Sequence, residues 1–572
     1  MLLISLGSRG KKCYNSSVEH TAKQAPEMRF PMYKNIFINQ CGYLPNMQKQ
    51  VTFRTDQPLS FTVVKSCGTS VYSGRADRRV ENPSAGETNY IGDFSAVTES
   101  GLYYITAEGL GESDTFAVGE NAYADTFQKS MAFFYLQRCG YNIPREAAGI
   151  YGHKACHTQI GHVFQGAETK DVTGGWHDAG DYGRYVGPGA MAVAQLLYAA
   201  ERNDALCGSY QCPENTGVAS ALPDYLEELK YELDWMMKMQ REDGALYHKA
   251  SCRNFCSFIM PEEETEEMLL SPVSVTATGD FAAVCAMAVR FYVKYDEAYA
   301  RRLEAASKKA YEAMQGMALP GGFKNPQEIT TGEYGDSCDT DERYWAAAEL
   351  YHAFGDQQYR DDFEAIAREK IYQGYGWADM GSYGNLAYLN TKRPVDESLT
   401  ASIRQAMLSL ADDLLKTAEN DGYGTALTAG QYIWGSNMNA ANNGLHLYDA
   451  WKLTGEQKYL DAAAAQLHYL LGRNCLGLCF VTGCGTDAVK HPHHRPSGFL
   501  GKAMPGMLSG GPCSWIADET IKSMFTNKTA PAPARCLVDM TGSYSTNEVT
   551  IYWNSAFLQL LASVTASDGT TT

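Results

Sequence analysis

Near residue 121 the hydrophobic pattern changes its period, and that change fixes the architecture. Before it, apolar residues come in short alternating runs: Ile36-Phe37-Ile38, Val51-Thr52-Phe53, Phe61-Thr62-Val63-Val64, Ser70-Val71-Tyr72, Tyr90-Ile91-Gly92-Asp93-Phe94, Leu102-Tyr103-Tyr104-Ile105-Thr106 and Thr115-Phe116-Ala117-Val118. Side chains of a strand alternate between two faces, so each run reads as a half-buried strand, and Gly, Pro, Asn and Asp punctuate them. Seven such runs predict a small β-sandwich over residues 35–120. After the change, Leu222, Leu226, Leu229, Leu233 and Met237 paint one face of a helix. Further helices are predicted near 189–203, 279–296, 299–317, 341–355, 358–372, 397–419, 438–454, 456–472 and 550–566. Few strand-like runs intervene, so residues 121–567 read as an all-α body of about a dozen helices in sequential pairs. Long Gly- and Pro-rich loops at 173–188, 321–338 and 475–515 separate them. Such pairs can close into a ring whose loops meet at one mouth, where catalytic groups tend to sit. An α-solenoid is the alternative, but the chain shows no repeated signature. Residues 1–34 read as a polar tail.

With 48 basic and 66 acidic residues the chain carries a net charge of −18. It would repel phosphate, so neither nucleic acid nor an anionic membrane is expected as a partner. A neutral ligand suits it better, and the 37 tyrosines suit sugar stacking as well as an ordinary large core. No apolar run reaches the ~18 residues of a membrane span. The apolar start Met1–Gly7 is short for a leader, and its basic residues follow it. The 16 cysteines are scattered, and most read as reduced core residues. Cys252/Cys256, Cys207/Cys212 and Cys475/Cys479 are close enough for disulfides or metal ligation, but nothing nearby completes a site. Thiols in this state and the lack of a clear leader point to a cytoplasmic protein, with secretion as the alternative.

Four stretches carry chemistry. Asp178-Ala179-Gly180-Asp181 places two carboxylates three residues apart around small residues that leave room for water or substrate. Like charges so close raise at least one pKa, which favours general-base work. Alone, such a pair is more often a calcium loop or a capped turn. Glu548, in Ser545-Thr546-Asn547-Glu548-Val549, stands at the foot of a final apolar helix, where a Glu is ordinarily stabilised by the helix dipole. His491-Pro492-His493-His494-Arg495-Pro496 is a loop able to bind metal, phosphate or hydroxyls. Gln431-Tyr432-Ile433-Trp434-Gly435-Ser436-Asn437 brings an aromatic onto a loop before a helix.

Together and in this order, these stretches resemble the family 9 glycoside hydrolases, the inverting cellulases. The β-sandwich resembles the immunoglobulin-like module that precedes the catalytic domain in one branch of that family. The resemblance covers residues 35–567 and implies a multidomain chain in which an (α/α)6 barrel follows the module. It implies Asp181 as the general base toward water, Asp178 as a second holder of that water and Glu548 as the general acid. It implies His493, His494 and Arg495 as substrate-binding residues, through the family's His-x-Arg. Trp434, Tyr544 and Tyr334 become candidates to line the cleft, although the first two could equally pack against the loop base.

Two metals are also expected. Cys139, Cys156, His157 and His177 offer two thiolates and two imidazoles, which suit closed tetrahedral zinc. The spacing is not diagnostic, but the resemblance implies a structural zinc here, bracing the catalytic loop through His177. Asp336-Ser337-Cys338-Asp339-Thr340-Asp341-Glu342 is dense in hard oxygen donors, which suit calcium or a solvated helix start. By resemblance Ser337, Asp341, Glu342 and Asp379 are the calcium candidates. No organic cofactor is expected.

The expected function is endo-acting inverting hydrolysis of β-1,4-glucosidic bonds in cellulose, mixed-linkage β-glucan or cello-oligosaccharides, by a monomer. An exo-acting cellodextrinase or a β-glucosaminidase of the same family is the near alternative. A non-catalytic carbohydrate-binding protein or an α-glucan hydrolase on the same barrel are the others. The sandwich is expected to stabilise the barrel and not to bind sugar.

Overall fold

The computed structural model describes residues 34–214, 221–318, 321–525 and 530–566. Most of the expected tail, residues 1–33, lies outside them.

Nine strands form the first module: β1 (Ile36–Phe37), β2 (Gln50–Arg54), β3 (Leu59–Lys65), β4 (Ser70–Ala76), β5 (Arg78–Asn82), β6 (Glu87–Asp93), β7 (Gly101–Ala107), β8 (Gly111–Glu112) and β9 (Phe116–Val118). Two antiparallel sheets, ordered β1-β2-β6-β5 and β4-β3-β7-β8 with β9 also on β7, pack face to face. Val51, Phe53, Phe61, Val63, Tyr103, Ile105 and Phe116 fill the space between them. The period-2 runs had located seven of the nine. Arg78–Asn82 and Gly111–Glu112 are too charged or too short to show an alternation.

Twelve long helices follow, six inside and six outside, as the (α/α)6 barrel. The inner ones are Val186–Arg202, Val275–Tyr292, Thr340–Phe354, Gly381–Asn390, Ser436–Thr454 and Ile551–Val564. The last packs back on the first, which closes the ring. The outer ones are Ala124–Leu136, Asp224–Met239, Glu297–Gly316, Gln357–Glu369, Glu397–Glu419 and Gln457–Leu470. Burial explains the division. Every residue of Ile551–Val564 is buried, whereas Glu397–Glu419 buries only the stripe Leu399, Ile403, Met407, Ala411, Leu414 and Ala418. A helix enclosed on all sides can be apolar all round, while one facing water keeps a single stripe.

The body is not purely helical. Short strands at Thr169–Lys170, Gly161–Val163, Met268–Leu270, Lys249–Ser251 and Arg184–Tyr185 form a five-stranded sheet in that spatial order. It pins the segment that follows Asp181 against the loops at the barrel mouth. Strands of two or three residues carry no readable period, which is why an all-α body was expected.

The module is stitched to the barrel by polar contacts. Gln40 N–H donates to Leu471 O (2.9 Å), and its Nε2 donates to Gly477 O (2.8 Å). Its Oε1 accepts from the N–H groups of Thr486 (3.0 Å) and Asp487 (2.8 Å). Arg54 Nη2 donates to Cys475 O (2.7 Å), and Arg535 Nε to Ala85 O (2.7 Å). All cysteines among the described residues are free thiols. No described helix is long and apolar enough to cross a membrane.

Candidate active site

The barrel's loops bring Asp178, Asp181 and Glu548 together across more than 360 positions of sequence. Asp178 O accepts from Ile551 N–H (2.8 Å), so the Asp178–Asp181 turn is tied to the start of the last inner helix. The Gly180 N–H faces the Glu548 carboxyl. A side-chain carbon at Gly180 would lie 2.2 Å from the His493 carbonyl oxygen, so only glycine permits this approach.

The three carboxyls differ in surroundings. Asp178 is buried; Tyr334 donates its hydroxyl to one oxygen and the other has no hydrogen-bond partner among the described residues. Burial raises the Asp178 pKa well above the carboxylate range, with the Tyr334 hydrogen bond opposing and the Asp181 charge adding. Asp181 Oδ2 accepts from Gly183 N–H (3.0 Å) and Tyr185 OH (3.3 Å). Glu548 is held by its backbone, with its carbonyl accepting from Gly510 N–H (2.8 Å). Trp434 Nε1 donates to its Oε2 (3.1 Å). Burial, then the charges of Asp181 and Asp178, push Glu548 well above its usual pKa, which favours its protonated form.

Of the His-His-Arg residues, His493 faces the cleft. Its Nδ1 donates to Thr541 O (2.7 Å), and burial lowers its pKa, which leaves a neutral Nε2 as an acceptor. His494 was expected beside it and is instead internal. Its Nε2 pairs with Gln137 Oε1 (3.1 Å) and its Nδ1 with Ser497 Oγ (2.8 Å), and burial pushes its pKa down to about 3. Adjacent residues at this bend point opposite ways, so only one histidine can reach substrate. Arg495 is also nearly buried. Its Nη1 donates to Gly180 O (2.8 Å), and its Nε and Nη2 donate to Cys256 O (3.2 and 3.0 Å), so it holds the Asp178–Asp181 turn.

Tyr544 packs between Trp434 (ring centroids 5.1 Å apart) and His493 (5.9 Å). Tyr334, at a left-handed φ of 44°, packs against Tyr185, Trp377 and Tyr552. A bulky residue held there marks stored backbone strain, which is common at functional sites. Sequence reasoning missed Tyr185, Trp377, Tyr552 and Lys249. Lys249 is buried; its Nζ donates to Thr331 Oγ1 (3.0 Å) and thereby supports the Tyr334 loop. Burial pulls its pKa down to about 7 against the Asp181 and Glu333 charges. A lysine within the alternating Tyr247–Ser251 run would have been the available signal.

The zinc candidates do converge. One ligand atom from each of Cys139, Cys156, His157 and His177 lies within 4.8 Å of the others, all four residues are buried, and no other such group occurs among the described residues. His177 Nε2 is 3.4 Å from His157 Nδ1 and 3.6 Å from Cys156 Sγ, close to the edges of a tetrahedron with bonds of about 2.0–2.3 Å. His157 Nε2 meets Glu264 Oε2 (2.9 Å), which orients the ring as metal-bound imidazoles require. The residues present fit zinc, held one position before Asp178.

The calcium candidates gather more loosely. Asp341 lies near Asp379; burial, with the Asp379 charge adding and the Met380 N–H opposing, pushes it up to about 6. Glu342 sits between Asp341 and the inner-helix Asp280, and neither of its buried oxygens has a hydrogen-bond partner among the described residues. Ser337 is exposed. The four expected ligands thus do not converge on one point among the described residues: only Glu342 leaves buried oxygens unpartnered, whereas Asp341 Oδ2 accepts from Met380 N–H (2.9 Å).

Comparison with known proteins agrees with this geometry. Residues 123–561 match the model of glycosyl hydrolase family 9, and residues 32–112 match that of the cellulase N-terminal ig-like domain. A cellodextrinase from Butyrivibrio fibrisolvens is 38% identical over 550 residues, which is 93% of this chain and 100% of the relative. Endoglucanase D from Acetivibrio thermocellus is 38% identical over 541 residues, 92% of this chain and 83% of the relative. The crystal structure of a single-mutant thermostable endoglucanase from Alicyclobacillus acidocaldarius superposes with a TM-score of 0.88 at 33% identity, covering 93% of this chain and all of that one. The chain therefore belongs to glycosyl hydrolase family 9 and is a glycoside hydrolase of the cellulase type with an immunoglobulin-like module ahead of its barrel.

Proposed function

We propose that this enzyme cleaves internal β-1,4-glucosidic bonds of soluble β-glucan and longer cello-oligosaccharides with inversion, as a monomer. The observation that carries the reading is the contrast between the carboxyls: Glu548 is pushed toward the protonated state by burial and by two aspartates, while Asp181 receives two hydrogen-bond donors. An inverting hydrolase needs an acid at the departing oxygen and a base across the ring, with a gap for water. Asp181 takes a proton from water as that water attacks the anomeric carbon. Asp178, oriented by Tyr334, holds the same water. Glu548 gives its proton to the leaving oxygen, and Trp434 fixes the carboxyl. His493 Nε2 accepts from a sugar hydroxyl, and Arg495 keeps Gly180 and the turn in place.

Zinc, held by Cys139, Cys156, His157 and His177, would supply a rigid cross-link behind this turn, and no reaction step passes through it. The B. fibrisolvens relative is named a cellodextrinase, so exo action on cello-oligosaccharides is the second reading.

Proton NMR of cellohexaose digests tests the chemistry. The first-formed reducing ends should be α-anomers, and the product lengths should include internal cuts. β-Anomers would refute inversion, and cellobiose alone from one end would favour the exo reading.

A further inference from the structure

Phe255 and Phe258 have no part in the machinery described above, yet they are large, apolar and 49% and 37% exposed. They lie on the loop that follows strand Lys249–Ser251. Phe258 meets His493 edge-on (centroids 5.3 Å apart), and His493 leads through Tyr544 to Trp434, which touches Glu548. Aromatic surface therefore runs unbroken from the acid outward to Phe258. The Arg495 guanidinium lies over both phenylalanine rings, 5.5 Å from Phe255 and 5.9 Å from Phe258.

The loop is fixed by the catalytic turn itself. Arg495, which holds Gly180, also holds Cys256 O. Tyr182, the residue after Asp181, donates its hydroxyl to Ile259 O. Beneath Phe258 the Arg495–Leu500 helix presents Gly498, where a side-chain carbon would come within 2.5 Å of the ring. Exposed apolar surface held rigidly and continuous with an active site is the mark of a ligand-binding face. Glucose rings in β-1,4 linkage offer flat C–H faces that match it.

We propose that Phe255 and Phe258 form an aromatic platform for β-1,4-linked glucose rings on the leaving-group side of the scissile bond. This rests on the hydrolase reading above. The side follows from position: Tyr334, Trp377 and Tyr552 cluster at Asp178, whereas the row ending in Phe258 starts at Glu548, and the cleaved bond lies between the two.

Full-length Phe258→Ala, Phe255→Ala and Phe258→Tyr variants test it. Phe258→Ala should lower kcat/KM for cellohexaose about ten-fold through KM, and that for p-nitrophenyl β-cellobioside, which carries no glucose ring on the leaving-group side, by less than about two-fold. Phe258→Tyr should restore the wild-type value, and Phe255→Ala should show the same length dependence. Calorimetric titration of cellohexaose into Glu548→Gln and into Glu548→Gln/Phe258→Ala should show a matching loss of affinity. Unchanged values for cellohexaose, or equal losses on both substrates, would overturn the platform. A wild type that leaves cellohexaose intact while binding still depends on Phe258 would defeat the hydrolase reading alone.

Discussion

Gly180→Ala is the sharpest perturbation of this site. The new methyl carbon would sit 2.2 Å from the His493 carbonyl oxygen and 3.1 Å from its carbonyl carbon. Side-chain carbons essentially never come closer than 3.0 Å, so the turn or the His493 strand must yield by about 0.8 Å. Neither is free to do so. Gly180 O is held by Arg495 N–H (3.0 Å) and Nη1 (2.8 Å), and His493 N–H is held by Asn547 O (2.8 Å). The obstacle is main chain on both sides, so no rotamer relieves it. Overpacking of this kind costs about 1–3 kcal/mol of stability, and a misplacement near 1 Å costs on the order of 100-fold in rate. Circular dichroism melts and reducing-end assays at saturating cellohexaose separate the two effects. The expected outcome is a folded variant with kcat down about 100-fold and KM changed far less. A folded Gly180→Ala enzyme with wild-type kcat would show that this close approach does not set the catalytic geometry.

Glu548→Gln should lower cellohexaose turnover by about 100- to 10,000-fold, and far less for a dinitrophenyl cellobioside whose leaving group needs no proton. In the wild type activity should fall as pH rises through the Glu548 pKa, which burial raises well above the usual carboxylate value, and a pH–kcat/KM profile should show that basic limb displaced upward from the ordinary carboxylate range. Dialysis against a zinc chelator, or Cys139→Ser, should remove one equivalent of metal by elemental analysis and lower Tm by on the order of 5 °C. Gln40→Ala should cost about 2–3 kcal/mol in chemical denaturation, since it abandons side-chain hydrogen bonds to Gly477, Thr486 and Asp487.

Legibility in the sequence followed the physics of burial. Half-exposed strands and single-stripe outer helices repeat with a period, so β3 and Glu397–Glu419 could be placed closely. Gly381–Asn390 could not: eight of its ten residues are buried, it has two glycines, and no face differs from another. Carboxylates three apart beside small residues revealed Asp178 and Asp181, and the cysteines and histidines of the metal group were visible as residue types. What separates His493 from His494 was not visible, because the partner that claims His494 is Gln137, 357 positions away. The aromatic wall at Tyr334 and the support from Lys249 depend likewise on pairings across the ring.

The grip of the first module on residues 471–487 has a practical consequence for redesign. The same stretch of chain runs on to His493 and to Arg495, which holds Gly180 O, so the module acts as a splint for the arm that supports the Asp178–Asp181 turn. Fusions and truncations are safest at its opposite border, where Ser70–Ala76 is largely open to water. Exchanging the module for that of a relative would have to preserve Gln40 and Arg54, or slack introduced there would travel along the arm to the point of cleavage.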